Sequence, residues 1–484
     1  MKYCPYCKKN INNHSRYCPN CNKPLITNLE NELNKRLRVP HDEASFYTDN
    51  FEEEEYYDIS ILDDEVVERE LSELEDQLAE SERFGKNMGD LLLKKASLFY
   101  KKRDFPNALK NLELALENFL DEKEILNTAI CHNELGLIHE ETGFFDQAIY
   151  HFDRAFIILE ELEDIKKKIQ VLNNLGNVYY LINDLESSYK YYQKALNITE
   201  KENLELDAIK TASNLVEILI SLKDYDRVTK ILKNNLEFFT KTNDVYGVIH
   251  TRIKYGKLFY YLGDEYYDQS YQSFTNVLEL VDTLKNQISI FIKKKLEWES
   301  FLYLGKLNLL WDNDSEAEHY LLNSLEAIRT FGIRENIKEG IVLETIAKFY
   351  SLKGEDNKAI DYYSYSTEIY QKFGDKLKIA EMKYEVAKIF QNYIQNEQKA
   401  IQYYEEALEI LENLNNLKNA AEIRNNLGDI YVSKELFDLA LINFKMAKKF
   451  YAELEDEYNK NLVLGKINSL KDTEPNSFNP KYNQ

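Results

Sequence analysis

A pattern of about forty residues recurs along most of the chain and constrains its fold more than any other feature. In residues 172–198, Gly176 of a Leu-Gly pair is followed by Tyr179 and, after a polar break, by Ser188 and Ala195. The small residue at the position of Gly176 recurs in steps of 40 residues before and after this stretch. Self-similarity of this period is the signature of a solenoid, in which each unit packs only on its neighbours.

The spacing of the small residues predicts pairs of antiparallel helices. In most copies a second small residue follows the first by twelve positions and a third follows seven later. Two helices approach closely only where the facing side chains are no larger than Ala or Ser, while aromatic and aliphatic residues fill the space around them. Nine copies align over residues 86–471, and no proline occurs between Pro106 and Pro475, as long helical segments require. We therefore expect an all-α array, with a capping helix at 456–471 and a disordered tail at 472–484.

The amino-acid sequence of the repeat resembles that of a known family. The segments LGNVY at 175–179 and LGDIY at 427–431 resemble the core of tetratricopeptide repeats, whose usual period is about 34 residues. This chain departs from the family in its longer unit and in lacking a proline at the end of the repeat. Its LNNLG and GNVYY segments are similar to the long-repeat class typified by kinesin light chain. The resemblance implies a superhelical solenoid of about nine helix-turn-helix repeats, which binds a peptide or protein partner in its concave groove.

The same resemblance implies which side chains line that groove, namely those three before and one after the small residue. These positions hold Asn133, Asn173, Asn177, Asn425, Lys257, Lys306, Lys348 and Lys388. Asparagine amides can donate to and accept from a peptide backbone. The four lysines are either ordinary solvated side chains or a basic stripe that would bind an acidic partner. Glu299, Glu344 and Glu381 nearby lower the local positive potential.

Four cysteines in residues 1–27 predict a metal site. Cys4 and Cys7 form one Cys-x-x-Cys pair, and Cys18 and Cys21 form a second pair after ten intervening residues. Two such turns supply the four thiolates of a structural, tetrahedral Zn²⁺ site. A segment this short cannot bury enough surface to fold alone, so the metal would supply its folding energy. The segment resembles the short zinc ribbons that begin many bacterial and archaeal proteins.

Residues 28–85 are expected to form an acidic tether. The stretch 42–82 holds 18 Asp or Glu residues and a single Arg, and its FEEEEYYD run should remain disordered through self-repulsion. Apolar residues at helical spacing predict a helix at 66–82. The tether reads as a soluble spacer, or alternatively as an interaction strip that docks on the lysines of the protein's own groove.

The composition excludes several functional classes. A net charge of −23 argues against a general nucleic-acid binder, which needs a basic surface. No apolar run approaches the roughly 20 residues that cross a bilayer, and the chain does not begin like a signal peptide, so we expect a cytoplasmic protein without a membrane partner. There is no glycine-rich phosphate loop, nucleophile elbow or catalytic metal motif. His132 and His139 lie seven apart on one predicted helix, with no third ligand evident.

The sequence thus predicts a non-enzymatic scaffold or adaptor that binds a peptide or protein. The alternative is a nucleic-acid-linked regulator, in which the zinc ribbon contacts DNA or RNA and the repeats sense a peptide or protein. The ribbon carries five basic and no acidic residues, which would permit a phosphate contact. The strongly acidic remainder of the chain works against it.

Overall fold

The computed structural model of the chain describes residues 2–3, 10–11, 64–84, 88–102, 104–284, 288, 290–331 and 337–473. Two short strands, β1 (Lys2–Tyr3) and β2 (Asn10–Ile11), pair antiparallel, with Lys2 opposite Ile11. The four cysteines of the predicted zinc site, most of the acidic tether and the tail at 474–484 lie outside the described residues.

Twenty α-helices follow within the described part of the chain, together with one 3-10 turn at Asp264–Tyr266. Their bounds are α1 (Asp64–Phe84), α2 (Gly89–Lys101), α3 (Phe105–Glu122), α4 (Ile125–Glu141), α5 (Phe145–Leu162), α6 (Ile165–Leu181), α7 (Leu185–Lys201), α8 (Glu205–Ser221), α9 (Tyr225–Lys241), α10 (Val245–Leu262), α11 (Tyr267–Thr283), α12 (Ile290–Leu310), α13 (Asp314–Phe331), α14 (Ile337–Leu352), α15 (Asp356–Lys372), α16 (Lys376–Asn392), α17 (Glu397–Asn413), α18 (Leu417–Ser433), α19 (Phe437–Glu453) and α20 (Glu457–Thr473).

The helices divide into two compact units, Met1–Arg334 and Glu335–Gln484. From α2 to α19, each even-numbered helix packs on the following odd-numbered helix as a hairpin, so we call the even-numbered members first helices and the odd-numbered members second helices. Six hairpins belong to the first unit and three to the second. The helical array is larger than nine repeats, because α1 packs on α2 and α20 packs on α19.

Side-chain caps and left-handed turn residues explain why the helices begin and end where they do. Asp164, Asp184 and Asp244 precede first or second helices, and each accepts a hydrogen bond from a backbone N–H three residues later. The turn residues Asn183 and Gly143 have φ values of 62° and 84°, which asparagine and glycine adopt most readily. The left-handed turns expected from the sequence at these positions are therefore present.

The small residues lie where helices cross, as their spacing predicts. Ala148, Ala195 and Ser188 are fully buried. Gly176 faces the ring of Tyr192, and a Cβ atom added there would lie 2.8 Å from two ring carbons. The core of most hairpins therefore depends on glycine, alanine or serine on one helix receiving a large side chain from the other, whereas the α8–α9 hairpin has the buried Val216 and Val228 at these positions. No helix in the described ranges is long and apolar enough to cross a membrane.

Candidate functional site

The first helices of the first unit form a layer of their own. Helix α4 contacts α6, α6 contacts α8, α8 contacts α10 and α10 contacts α12, in each case past the second helix that lies between them in sequence. Each first helix therefore has a side that faces its neighbouring first helices, in addition to the sides that face second helices. This layer carries the side chains that the sequence assigns to a binding groove, and we treat it as the candidate site.

A polar contact between successive first helices recurs at one position of the repeat. We call it the inter-repeat rung: a side chain nine residues after the first residue of a first helix donates to a side chain on the preceding first helix, 41 positions earlier. The rungs are Asn174 Nδ2 to Asn133 Oδ1 at 2.9 Å, Lys254 Nζ to Ser213 Oγ at 2.8 Å and, in the second unit, Lys466 Nζ to Asn425 Oδ1 at 2.9 Å. The rungs hold neighbouring repeats in register.

The structure places the predicted asparagines at contacts between helices. Asn133 and Asn173 are each only 8% exposed, and Asn173 Nδ2 donates to Thr211 Oγ1 on the next first helix at 3.0 Å. Asn177 is half-buried and accepts a hydrogen bond from the hydroxyl of Tyr192. The Oδ1 atoms of Asn173 and Asn174 have no hydrogen-bond partner among the described residues. A buried acceptor without a donor costs about 1–3 kcal/mol. Asn174 is fully buried, so of these two side chains only Asn173 lies at the edge of the accessible surface.

Lys257 is the most enclosed of the predicted groove lysines. Its Nζ lies 2.7 Å from a carboxylate oxygen of Glu217 on α8 and 2.7 Å from one of Glu299 on α12, and its side chain is 11% exposed. Burial alone would lower the pKa of Lys257, but the two carboxylates outweigh it and hold the pKa well above the usual lysine value. The ammonium therefore stays charged and ties three successive first helices together.

The remaining lysines of the predicted stripe also have local partners. In the first unit, Lys306 Nζ lies 4.8 Å from the centre of the Tyr303 ring. In the second unit, Lys348 lies 2.6 Å from Glu344 and Lys388 lies 2.8 Å from Glu385. Three of the four lysines are thus ion-paired within the chain, which lowers the positive potential that an acidic ligand would meet.

The second unit has a depression of about 230 Å³ on its own first helices. It is lined by Glu344, Lys348, Glu381, Met382, Tyr384, Glu385 and Asn419. Burial would raise the pKa of Glu344, but Lys378 and Lys348 hold it below its usual value, and the Tyr370 hydroxyl donates to it at 3.1 Å. Three carboxylates and one ammonium therefore face this depression beside an aromatic ring and a methionine.

Three histidines meet where the sequence indicated only two on one helix. His132 on α4 has its Nδ1 atom 3.0 Å from Nδ1 of His151 on α5, and the ring of His151 stacks on that of His139 with 5.5 Å between centroids. Burial lowers the pKa of all three histidines. The neighbouring imidazoles of His132 and His139 lower the pKa of His151 further, to about 4. No group of three or more His, Cys, Asp or Glu side chains in the described ranges could hold a metal ion.

Hairpins of about forty residues, small residues at most crossings and polar rungs between first helices are the features of a tetratricopeptide-type repeat protein. The tetratricopeptide repeat family model matches residues 127–201, and the model of soluble NSF attachment protein matches residues 316–480. The protein therefore carries tetratricopeptide repeats, as its sequence predicts.

Curated relatives match parts of the chain. Protein KINESIN LIGHT CHAIN-RELATED 3 of Arabidopsis thaliana is 24% identical over 197 residues, covering 39% of this chain and 30% of the relative. The clustered mitochondria protein homolog of Candida albicans is 25% identical over 203 residues, covering 38% and 14%. The transcriptional activator NprA of Geobacillus stearothermophilus is 24% identical over 130 residues, covering 27% and 32%. The chain spans about a third or less of the length of these relatives.

Solved structures of helical-repeat proteins are similar at low identity. The apo form of the quorum sensor NprR from B. thuringiensis is 12% identical with a TM-score of 0.46, covering 80% of this chain and 99% of that one. A Rap protein complexed with competence and sporulation factor is 14% identical with a TM-score of 0.38, covering 81% and 99%.

Proposed function

We propose that the protein is a non-enzymatic scaffold or adaptor that binds a peptide or protein partner on the layer of first helices in its first unit. The observation that carries this proposal is the pair of asparagines at the surface of the layer, the half-buried Asn177 and Asn173, whose carbonyl oxygen lacks a donor among the described residues. An extended peptide presents backbone N–H and C=O groups at regular intervals. An asparagine amide can accept a hydrogen bond from the N–H groups through its oxygen and donate one to the C=O groups through its nitrogen. Asn177, one turn further along α6, extends the same polar surface.

The charges of the site favour a partner with cationic groups over an acidic one. The cluster of Lys257 with Glu217 and Glu299 contains two carboxylates and one ammonium, so its sum is −1. The depression of the second unit is lined by three carboxylates and one ammonium, and Lys378 and Lys388 pair with these carboxylates from beside it, so a cationic group of a partner would compete with them. A lysine or arginine side chain of a partner could place its head group among these carboxylates and its stem against Tyr384 and Met382. Docking of the protein's own acidic tether has less support, because it needs lysines that are already paired.

The experiment is a peptide-display selection on the immobilised full chain, followed by affinity measurements on the enriched peptides. We expect Asn173→Ala with Asn177→Ala to weaken binding by roughly fivefold or more, since each change removes a hydrogen bond to the ligand. Asn118→Ala is the matched control, because Asn118 lies on the second helix α3 and donates to its own backbone at Leu114 O, 2.9 Å away. The proposal fails if no peptide is enriched, or if both variants bind as the wild type does.

A second measurement on the enriched peptides addresses the depression of the second unit. Glu385→Gln removes one carboxylate from its lining and should weaken peptides that contain lysine or arginine more than neutral ones. Equal effects on both kinds of peptide would refute a preference for cationic side chains while leaving peptide binding itself intact.

The Zn²⁺ site of Cys4, Cys7, Cys18 and Cys21 remains a prediction, as does the nucleic-acid alternative that depends on it. The pairing of β1 with β2 brings together the two ends of the segment that contains Cys4 and Cys7, as a metal-binding turn requires. We propose a structural role for this ion in a cytoplasmic protein, where thiols stay reduced. Nucleic-acid binding by the full chain that is lost on Cys18→Ser would support the alternative.

A further inference from the structure

The terminal helix α20 exposes an apolar face. The side chain of Tyr458 is 74% exposed and that of Leu462 is 50% exposed, and no atom lies within 4 Å of a Cβ atom built on Gly465. With Ser469, also exposed, these residues follow one another at spacings of four, three and four, which places them on a single side of the helix. We call this side the α20 seam. The other side of the helix buries Val463 and Ile467 against the unit.

The corresponding positions of the preceding first helix are covered by another helix. Asn425 and Asp429 lie eight and twelve residues after the first residue of α18, and both accept hydrogen bonds from Lys466 of α20, at 2.9 Å and 2.6 Å. Gly465 and Ser469 lie eight and twelve residues after the first residue of α20. The α20 seam is thus the surface on which this fold places a further helix, and no helix in the described ranges packs on it.

The four residues of the α20 seam carry no charge, whereas Lys466 borders the seam on one side and Asp472 follows Ser469 by three positions. The four residues are flanked on one side by the exposed amides of Asn461 and Asn468. In a chain with 30% charged residues, the large exposed side chains of Tyr458 and Leu462 on one side of a helix are suited to contact with protein rather than to solvation.

The order of side-chain sizes in the α20 seam selects a second copy as the occupant. From the N-terminus to the C-terminus of α20, the seam holds two large side chains, Tyr458 and Leu462, followed by two small residues, Gly465 and Ser469. An antiparallel copy related by a two-fold axis between residues 463 and 464 brings Tyr458 opposite Ser469 and Leu462 opposite Gly465, so every large side chain meets a small one. A parallel copy would set Tyr against Tyr and Gly against Gly, which leaves clashes at one end and a gap at the other.

We propose that the α20 seam is a self-association surface, through which two copies of the protein form an antiparallel two-fold dimer. The flanking positions agree with this arrangement, because the same axis brings the amide of Asn461 near that of Asn468 in the other copy. A single pair of 17-residue helices, about 25 Å long, is smaller than a standard interface, so the dimer is weak and depends on concentration.

Sedimentation of the full chain over a wide concentration range tests the proposal. We expect a monomer–dimer equilibrium that Leu462→Asp and Gly465→Leu each weaken by roughly tenfold or more. Gly465→Leu is the sharper variant, because its added side chain meets open space in the monomer and leaves the fold intact, but fills the site of the partner's Leu462. Lys445→Leu, which adds the same side chain at an exposed position of α19, is the control and should not weaken the dimer.

A mixing experiment tests the antiparallel register. Leu462→Lys and Gly465→Glu should each be monomeric alone, whereas their mixture should form a heterodimer, because one layer then pairs Lys with Glu and the other retains Leu opposite Gly. A wild-type chain that stays monomeric at all concentrations, or a dimer that Gly465→Leu leaves unchanged, overturns the proposal. Residues 474–484 contain Phe478 and Tyr482 and could cover the same seam. A monomeric full chain that dimerises only after their removal would assign the seam to this segment and would also overturn the proposal.

Discussion

Replacing Gly176 by alanine should destabilise the protein, although alanine is the better helix former. A Cβ atom at Gly176 would lie within 3.0 Å of three ring carbons of Tyr192. Tyr192 is 2% exposed and its hydroxyl donates to Asn177, so the ring cannot swing away without losing that bond. Overpacking of this kind costs about 2–3 kcal/mol, and alanine recovers about 1 kcal/mol of helix propensity. We expect a net loss of about 1–2 kcal/mol.

Gly465→Ala is the matched control, because the same substitution should there have the opposite sign. Nothing lies within 4 Å of the added methyl group, so only the gain in helix propensity, up to about 1 kcal/mol, remains. Since repeat arrays can unfold in parts, thermal melts should be combined with hydrogen exchange of the amides in α6 and α7. The reasoning would be refuted if Gly176→Ala unfolded at the same or a higher free energy than the wild type.

Three further predictions concern charge and metal. Lys257→Met should destabilise the protein by roughly 3 kcal/mol, the low end for a broken buried ion pair, because its two carboxylates keep 23% of their side chains exposed. Lys449→Met, at the exposed pair with Glu453, should cost about 1 kcal/mol or less in the same denaturation assay. The pKa of His151 falls from 6.5 to about 4 on folding, so the unfolded chain binds protons more readily than the folded one. The free energy of unfolding, measured across pH, should therefore decrease as the pH falls from about 6.5 to 4, and it should decrease less steeply in His151→Phe. One equivalent of Zn²⁺ per chain should be measured by metal analysis of the purified protein, and Cys18→Ser should release it.

Much of the fold follows from the sequence, because helix period and close packing leave local marks. Gly176 and Ala195 must be small wherever two helices cross, and Asn183 or Gly143 must adopt a left-handed turn. Such requirements act within one hairpin, so they recur at fixed spacing and can be read directly. The larger size of the array was harder to read, since α1 lacks the small-residue pattern of the repeats.

The candidate site was less predictable, because its contacts join residues about forty positions apart. The spacing identified Lys257 and Asn173 as members of one layer, but it could not say that Lys257 would be enclosed by two carboxylates or that Asn173 would donate to Thr211. His151 was missed as a neighbour of His132 for the same reason, since it arrives from the next helix. A search for polar pairs at a separation of 41 would have found the inter-repeat rungs.

The ammonium of Lys257 has a mechanical consequence. Each inter-repeat rung joins one first helix to the next, but the ammonium of Lys257 bonds to both α8 and α12, two helices that are separated by a complete repeat. Three consecutive repeats are thereby clamped at one point, so bending and stretching of the first unit should be stiffest there and more compliant toward α4 and α6, where neutral hydrogen bonds form the links. A partner that bends the first unit would therefore deform it on the side of the asparagines.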